Sequence, residues 1–310
     1  MNGCICGSNI NCFETSFDIL LIPSKSRPET ENFGLEILCN HIESCHGLNG
    51  ISLPECGLSR RSYHRNEGIG GKDAKRGHFP WIVSLQVIHN TTYKYHICGV
   101  YPQFDSRNNF TDILQIRFGS VNWTYGYESE ISRIVCHPFN TYHIIDDNKD
   151  NFADIALIRV TKPIRMVQIF GYYLVNSICL PHKDQKFNGV STLAGWGQQL
   201  LHKADNMPIV SLDKCKISYA VESRHQLNRY IDENIICSGG NQMGSSSGDS
   251  GGPLVYYNDS RQRAIIIGVA SMAEPFDWDR PSLFTNVANY IDWIEDEITF
   301  WDRFYKLHNY

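Results

Sequence analysis

From Gly68 onward the sequence is a succession of short apolar and β-branched runs divided by turn residues, and this rhythm constrains the fold most tightly. The runs are Trp81–Ile88, Ile113–Phe118, Ile131–Cys136, Ile155–Val160, Thr192–Ala194 and Ala264–Ser271. No helical crossover of about 10–15 residues separates them, which argues against parallel βαβ units and for antiparallel sheet or barrel. The 24 glycines and 12 prolines spread along the 310 residues suit the turns of such a fold. One amphipathic helix is expected near the end, from the spacing of Val287, Tyr290, Trp293 and Ile294. There are no internal repeats.

With 42% apolar residues the chain can fill a core, and its formal charge of −5 is not gathered into acidic or basic runs. Nothing in it recruits nucleic acid or an anionic membrane. No apolar run approaches the roughly 18 residues of a membrane span. Eleven cysteines without a repeated zinc-knuckle spacing favour disulfides and an oxidising compartment. Glycosylation sequons at Asn90, Asn109, Asn122 and Asn258 agree with an extracellular, secreted protein. Met1-Asn2-Gly3-Cys4 shows no signal-peptide pattern, so the N-terminus is read as incomplete. A zinc site from Cys39, His41, Cys45 and His46 is the lesser reading beside disulfides; no metal or cofactor is expected.

The sharpest motif is Gly248-Asp249-Ser250-Gly251-Gly252-Pro253. An attacking serine needs an exposed hydroxyl and nearby backbone N–H groups to hold an oxyanion. Glycines on both sides let the backbone turn tightly and approach a carbonyl. The plain alternative is a Gly/Ser-rich loop. A second alternative is the nucleophile elbow of α/β-hydrolases, with a histidine available at His308, but an elbow needs a helix after the serine. Here Pro253 and the β-type run Leu254–Tyr257 follow.

This string resembles the nucleophile loop of the chymotrypsin/trypsin-type (S1) serine endopeptidases, and further markers occur in that family's order. They are Gly70-Gly71 with Phe79-Pro80-Trp81, His96-Ile97-Cys98-Gly99, Asp154-Ile155-Ala156-Leu157-Ile158, Ile178-Cys179-Leu180-Pro181 and Gly195-Trp196-Gly197. The resemblance runs from Gly68 to Ile294 and implies an all-β, chymotrypsin-like double antiparallel β-barrel with a C-terminal helix. It makes Ser250 the nucleophile and Asp154 the buried carboxylate that orients a histidine, with Ser271 as an extra partner. The N–H groups of Gly248 and Ser250 become the oxyanion hole.

The pattern breaks where the base belongs. Cys98-Gly99 runs straight into Val100-Tyr101-Pro102, so that on the family's usual spacing about fifteen residues are absent, among them Ala-Ala-His-Cys. The first barrel is therefore expected to be incomplete. His96 matches a structural position, His137 precedes Pro138 in a turn, and His143 belongs to no motif.

By resemblance, Asp249 should pair with the ammonium of a cleaved chain at Gly68. Glu67 precedes that residue, however, and Arg65 lies two positions early, while Arg60-Arg61 fits the register less well. The specificity pocket is assigned Gly244 at its base, with Ser271, Ala273 and Ser282 on its walls. It has no carboxylate for Arg or Lys, so a small or apolar side chain fits better. Ser246 stands where the family has a pocket cysteine. Disulfides Cys215–Cys237 and Cys56–Cys179 are implied, leaving Cys98 without its usual partner and Cys136 without a counterpart.

The organisation expected is a cysteine-rich segment 1–56, weakly clip-like, a linker and activation region 57–67, a peptidase-like domain 68–297 and a tail 298–310. Two functions remain open. One is a secreted endopeptidase acting on polypeptides, impaired as written because its histidine segment is missing. The other is a non-enzymatic homologue that binds a partner. Oligomeric state is not legible.

Overall fold

A computed structural model describes residues 19–22, 56–60, 72–88, 94–96, 113–139, 153–197, 200–220, 227–258, 263–274 and 277–308. The Gly99–Val100 junction, Gly68, His143 and Arg65 lie outside these residues, as do Cys4, Cys6, Cys12, Cys39, Cys45 and Cys98.

Two β bodies divide the chain, as the double-barrel expectation requires. The first is a six-stranded sheet whose hydrogen-bonded order is β1 (Ile19–Ile22), β7 (Ala156–Val160), β6 (Tyr127–Cys136), β5 (Leu114–Phe118), β3 (Val83–Ile88) and β4 (Lys94–His96). Among the described residues its pairing runs from β4 to β1 without closing. All pairs are antiparallel except β1 on β7, where Ile19 lies opposite Ala156 and Ile22 opposite Arg159. β7 is buried at all five positions and its apolar sequence suits a strand covered on both faces.

The second body closes. Its ring runs β10 (Val190–Gly195), β13 (Pro253–Asn258), β14 (Arg263–Met272), β15 (Pro281–Asn286), β12 (Ile235–Gly239) and β11 (His202–Val210), with β11 returning to β10. A short strand, β2 (Lys72–Asp73), adds to β11. A small hairpin, β8 (Val167–Ile169) and β9 (Tyr172–Val175), stands apart from both sheets. The helix α1 (Leu212–Ala220) follows β11, and α2 (Ile291–His308) ends the chain. No described helix is long and apolar enough to cross a membrane.

Each body has its own core. Leu85, Leu114, Ile116 and Ile158 fill the first; Leu193, Met207, Leu254, Ile267 and Phe284 fill the second. A third cluster joins them, in which Ile291, Ile294 and Trp301 of α2 pack on Ile155 and Leu157 from the first body and Ile266 from the second. The periodic residues Val287, Tyr290 and Ile294 lie on this buried face, as their spacing predicts. Helix α2 continues past residue 297 to His308, so residues assigned to a tail from sequence extend the same helix.

Both implied disulfides form. Cys215–Cys237 ties α1 to β12, and Cys56–Cys179 fastens the N-terminal segment to the barrels across 123 residues of sequence. Cys136 is a free thiol whose pKa rises to about 11, first through burial and then through the nearby Asp154 charge. It is therefore a packed sulfur that resists ionisation.

Candidate active site

Asp154 sits immediately before β7, at the seam between the two bodies, and is only 1% exposed. The second body holds it from two strands. The Ser271 hydroxyl at the end of β14 donates to Asp154 Oδ2 at 2.6 Å, and the Thr285 hydroxyl of β15 donates to the Asp154 carbonyl at 2.7 Å. A buried carboxylate needs donors, and Ser271 supplies one to Oδ2, while Thr285 fixes the backbone of the same residue. Ser271 thus reaches the carboxylate from the second body.

Ser250 lies in the tight connection that leads into β13. A strand, not a helix, follows it, which disposes of the nucleophile-elbow alternative. The Asp249 N–H donates to the Ser246 carbonyl at 3.0 Å and the Gly252 N–H to the Asp249 carbonyl at 2.8 Å. Gly251 and Gly252 then exchange bonds with Ala270 of β14, each at 2.9 Å. Gly248 has φ of +98°, and a Cβ there would lie 2.0 Å from the Gly197 carbonyl oxygen. Only glycine fits. Gly195 is limited by space alone, since its Cβ would lie 2.1 Å from Asp249 Oδ1. The Gly-Trp-Gly marker therefore exists to let the nucleophile loop settle against the end of β10.

The half-buried Asp249 accepts from the Ser246 N–H and hydroxyl at Oδ2, both at 2.9 Å, and from the Gly197 N–H at Oδ1 at 3.2 Å. Burial raises its pKa, while these donors and the nearby His202 oppose the rise.

Four histidine rings, those of His78, His96, His137 and His202, are committed to places other than the Asp154 carboxylate. His96 accepts the Ser84 hydroxyl at Nδ1 (2.9 Å) and donates from Nε2 to the Gly248 carbonyl at 3.2 Å, lying beside Trp196. Burial lowers its pKa, opposed by the Gly248 bond and the Asp249 charge. His137 accepts the Phe139 N–H and sits edge-on to Tyr290 and Trp293, again with a pKa lowered by burial. His202 pairs with Asp73 at 3.2 Å, and His78 accepts the Lys75 N–H.

At the expected specificity pocket, Gly244 and Ser282 are neighbours. The buried Ser282 hydroxyl accepts the Ser245 N–H at 2.8 Å, and a Cβ on Gly244 would lie 2.8 Å from that oxygen. Trp278 approaches the same point, 3.5 Å from such a Cβ. A cavity of about 350 Å³, in the range of small-molecule sites, is lined by Gly244, Trp278, Gln242, Met243, Ser246 and Asp249 among others. Of the four residues assigned to the specificity pocket only Gly244 is part of that lining; Ser271, Ala273 and Ser282 are not.

Sequence reasoning missed how the pocket wall is braced. The buried Tyr219 hydroxyl of α1 donates to the Pro281 carbonyl at 2.6 Å, Arg280 pairs with Asp277 at 3.2 Å, and Gln242 donates to Asp279 at 2.8 Å. No motif flags residues whose roles arise from contacts across three loops. Among the described residues no His, Cys, Asp and Glu cluster is arranged to hold a metal ion.

A family model described as Trypsin matches residues 107–294. The chain is 30% identical over 254 residues to the venom peptide isomerase heavy chain of Agelenopsis aperta, covering 73% of this chain and 98% of that one. It is 25% identical over 264 residues to the clotting factor G beta subunit of Tachypleus tridentatus (75% and 79% covered). Tryptase of Mus musculus is 29% identical over 256 residues (74% and 88% covered).

Proposed function

The chain belongs to the trypsin family of serine proteases, and from that premise we propose that it is a secreted endopeptidase chain impaired by the lack of its general base. Ser250 is the nucleophile and Asp154 the orienting carboxylate, and the N–H groups of Gly248 and Ser250 are the oxyanion donors. In the full reaction the serine oxygen attacks a peptide carbonyl while its proton passes to an imidazole, which returns it to the leaving amine. Without that imidazole the hydroxyl stays protonated and weakly nucleophilic. Loss of a triad member in a comparable protease lowers turnover by roughly 10⁶-fold.

One observation carries this reading: Asp154 is buried and held from two strands of the second body, as an orienting residue needs, while His78, His96, His137 and His202 have their places elsewhere. Gly244 at the pocket base and Ser282 on its wall, with no carboxylate beside them, favour a small or apolar residue before the scissile bond and disfavour Arg or Lys. The two disulfides and four sequons support secretion. The organisation into a cysteine-rich N-terminal segment, a linker and a peptidase domain belongs to the same proposal.

A second reading, a non-enzymatic homologue that binds a polypeptide partner, is favoured by Glu67 in place of a basic residue before Gly68 and by Ser246 in place of the pocket cysteine. Sequencing the native transcript across Gly99–Val100 separates the two. An insertion of about fifteen codons encoding Ala-Ala-His-Cys restores the triad and makes the natural product an active, non-tryptic protease. An uninterrupted junction means that the base is truly absent from the native protein, and the binding reading then replaces the endopeptidase one.

A further inference from the structure

Two of the three donors that hold the Asp249 carboxylate come from one residue. Ser246 supplies both its N–H and its hydroxyl to Oδ2, while its carbonyl accepts the Asp249 N–H, so residues 246–249 form a turn locked at both ends. The remaining donor is the Gly197 N–H at the other carboxylate oxygen. By resemblance this carboxylate should wait for an ammonium created by cleavage, and position 246 should carry a cysteine. Both departures meet at a single hydrogen bond. A disulfide-bonded cysteine has no proton to give, whereas a serine hydroxyl does.

We infer that Ser246 is a positioning residue that holds Asp249, and through it the Gly248 and Ser250 N–H groups, so that the nucleophile loop is ordered in the uncleaved chain. The inference rests on the reading of Gly248–Ser250 as the oxyanion loop. It joins the irregular residue before Gly68 to the exchanged pocket cysteine as one adaptation. Around the loop, the other restraints come from backbone groups and from His96. Gly251 and Gly252 are bonded to Ala270, Gly248 is seated against Gly197, and its carbonyl accepts from His96. The Ser246 hydroxyl is the side-chain donor that a change at this position adds. It points at an anion, where a hydrogen bond is stronger than between neutral partners. The cavity beside it, lined also by Gln242 and Trp278, leaves Asp249 within reach of solvent, so the carboxylate can stay ionised once these donors are in place.

The test uses the full chain with Arg60→Gln, Arg61→Gln and Arg65→Gln, which removes the arginines of the 57–67 linker and keeps it uncut. Hydrogen exchange is followed by mass spectrometry at peptides covering 244–252. The amides of this loop should be protected in the uncut protein. Ser246→Ala should raise their exchange about fivefold, the factor a typical net hydrogen bond is worth, and leave β12 and β14 unchanged. Ser246→Thr, which keeps the donor, should restore protection; a residue with a merely space-filling role would not discriminate Ala from Thr in this way. Free exchange of the loop in the uncut chain, or an Ala variant indistinguishable from the parent, overturns the inference. Exchange reports loop order irrespective of whether Ser250 reacts, so it can fail or succeed independently of the endopeptidase reading.

Discussion

Gly248 and His78 show how single residues set the behaviour of this protein. With φ of +98° and a carbonyl oxygen where its Cβ would be, Gly248 cannot accept a side chain without moving the nucleophile loop. Gly248→Ala should lower stability by about 2–4 kcal/mol in urea denaturation, more than the usual glycine-to-alanine effect in a strained conformation. His78 is 7% exposed, and burial, helped by Lys203 and Lys75, lowers its pKa to about 4. Below pH 6.5 the unfolded chain takes up a proton that the folded one refuses until about pH 4. Stability should therefore fall as pH drops through that window, with half-buried His96 and His137 adding in the same direction. His78→Gln should flatten the profile when urea midpoints are measured from pH 7 to 4. Ser250, Asp154 and Gly248 were legible because their motif demands particular residue types at fixed positions. The donation from Ser246 to Asp249 was not, because a serine in place of a cysteine does not reveal which acceptor its hydroxyl will find.

Among the elements, the legible strands are those that bury both faces or alternate cleanly. All six runs named from the sequence overlap strands β3, β5, β6, β7, β10 and β14, those at Trp81, Ile113 and Ile155 starting one or two residues ahead of the strand. β11 was missed because His202–Val210 is polar and contains Pro208, and β15 because Pro281–Asn286 opens on proline and carries three polar residues. Helix α1 was hidden by a sequence, Leu212–Ala220, with little apolar periodicity. The parallel addition of β1 to β7 had no sequence signal beyond four apolar residues, yet it covers the edge of a fully buried strand. Leu21→Pro, which cannot donate to a ladder, should lower stability by about 1–3 kcal/mol and raise exchange at Ala156–Val160. Unchanged melting and exchange would mean that β1 contributes nothing to the sheet.

For the molecule as a whole, the seam between the bodies matters most, because Asp154 belongs to one and its donors Ser271 and Thr285 to the other. The disulfide Cys56–Cys179 adds a tether that survives cleavage anywhere in the linker, since the two sulfurs stay joined. Replacing both cysteines with serine should cost about 2–5 kcal/mol, because it frees a loop of 123 residues. The central claim is that this chain presents a nucleophile without a base. It is tested most directly by exposing the purified full chain to a fluorophosphonate and reading residue 250 by mass spectrometry, with Ser250→Ala as control. No adduct should form at Ser250. Stoichiometric labelling there, absent from the alanine variant, would contradict the account and mean that another group in this fold activates the serine.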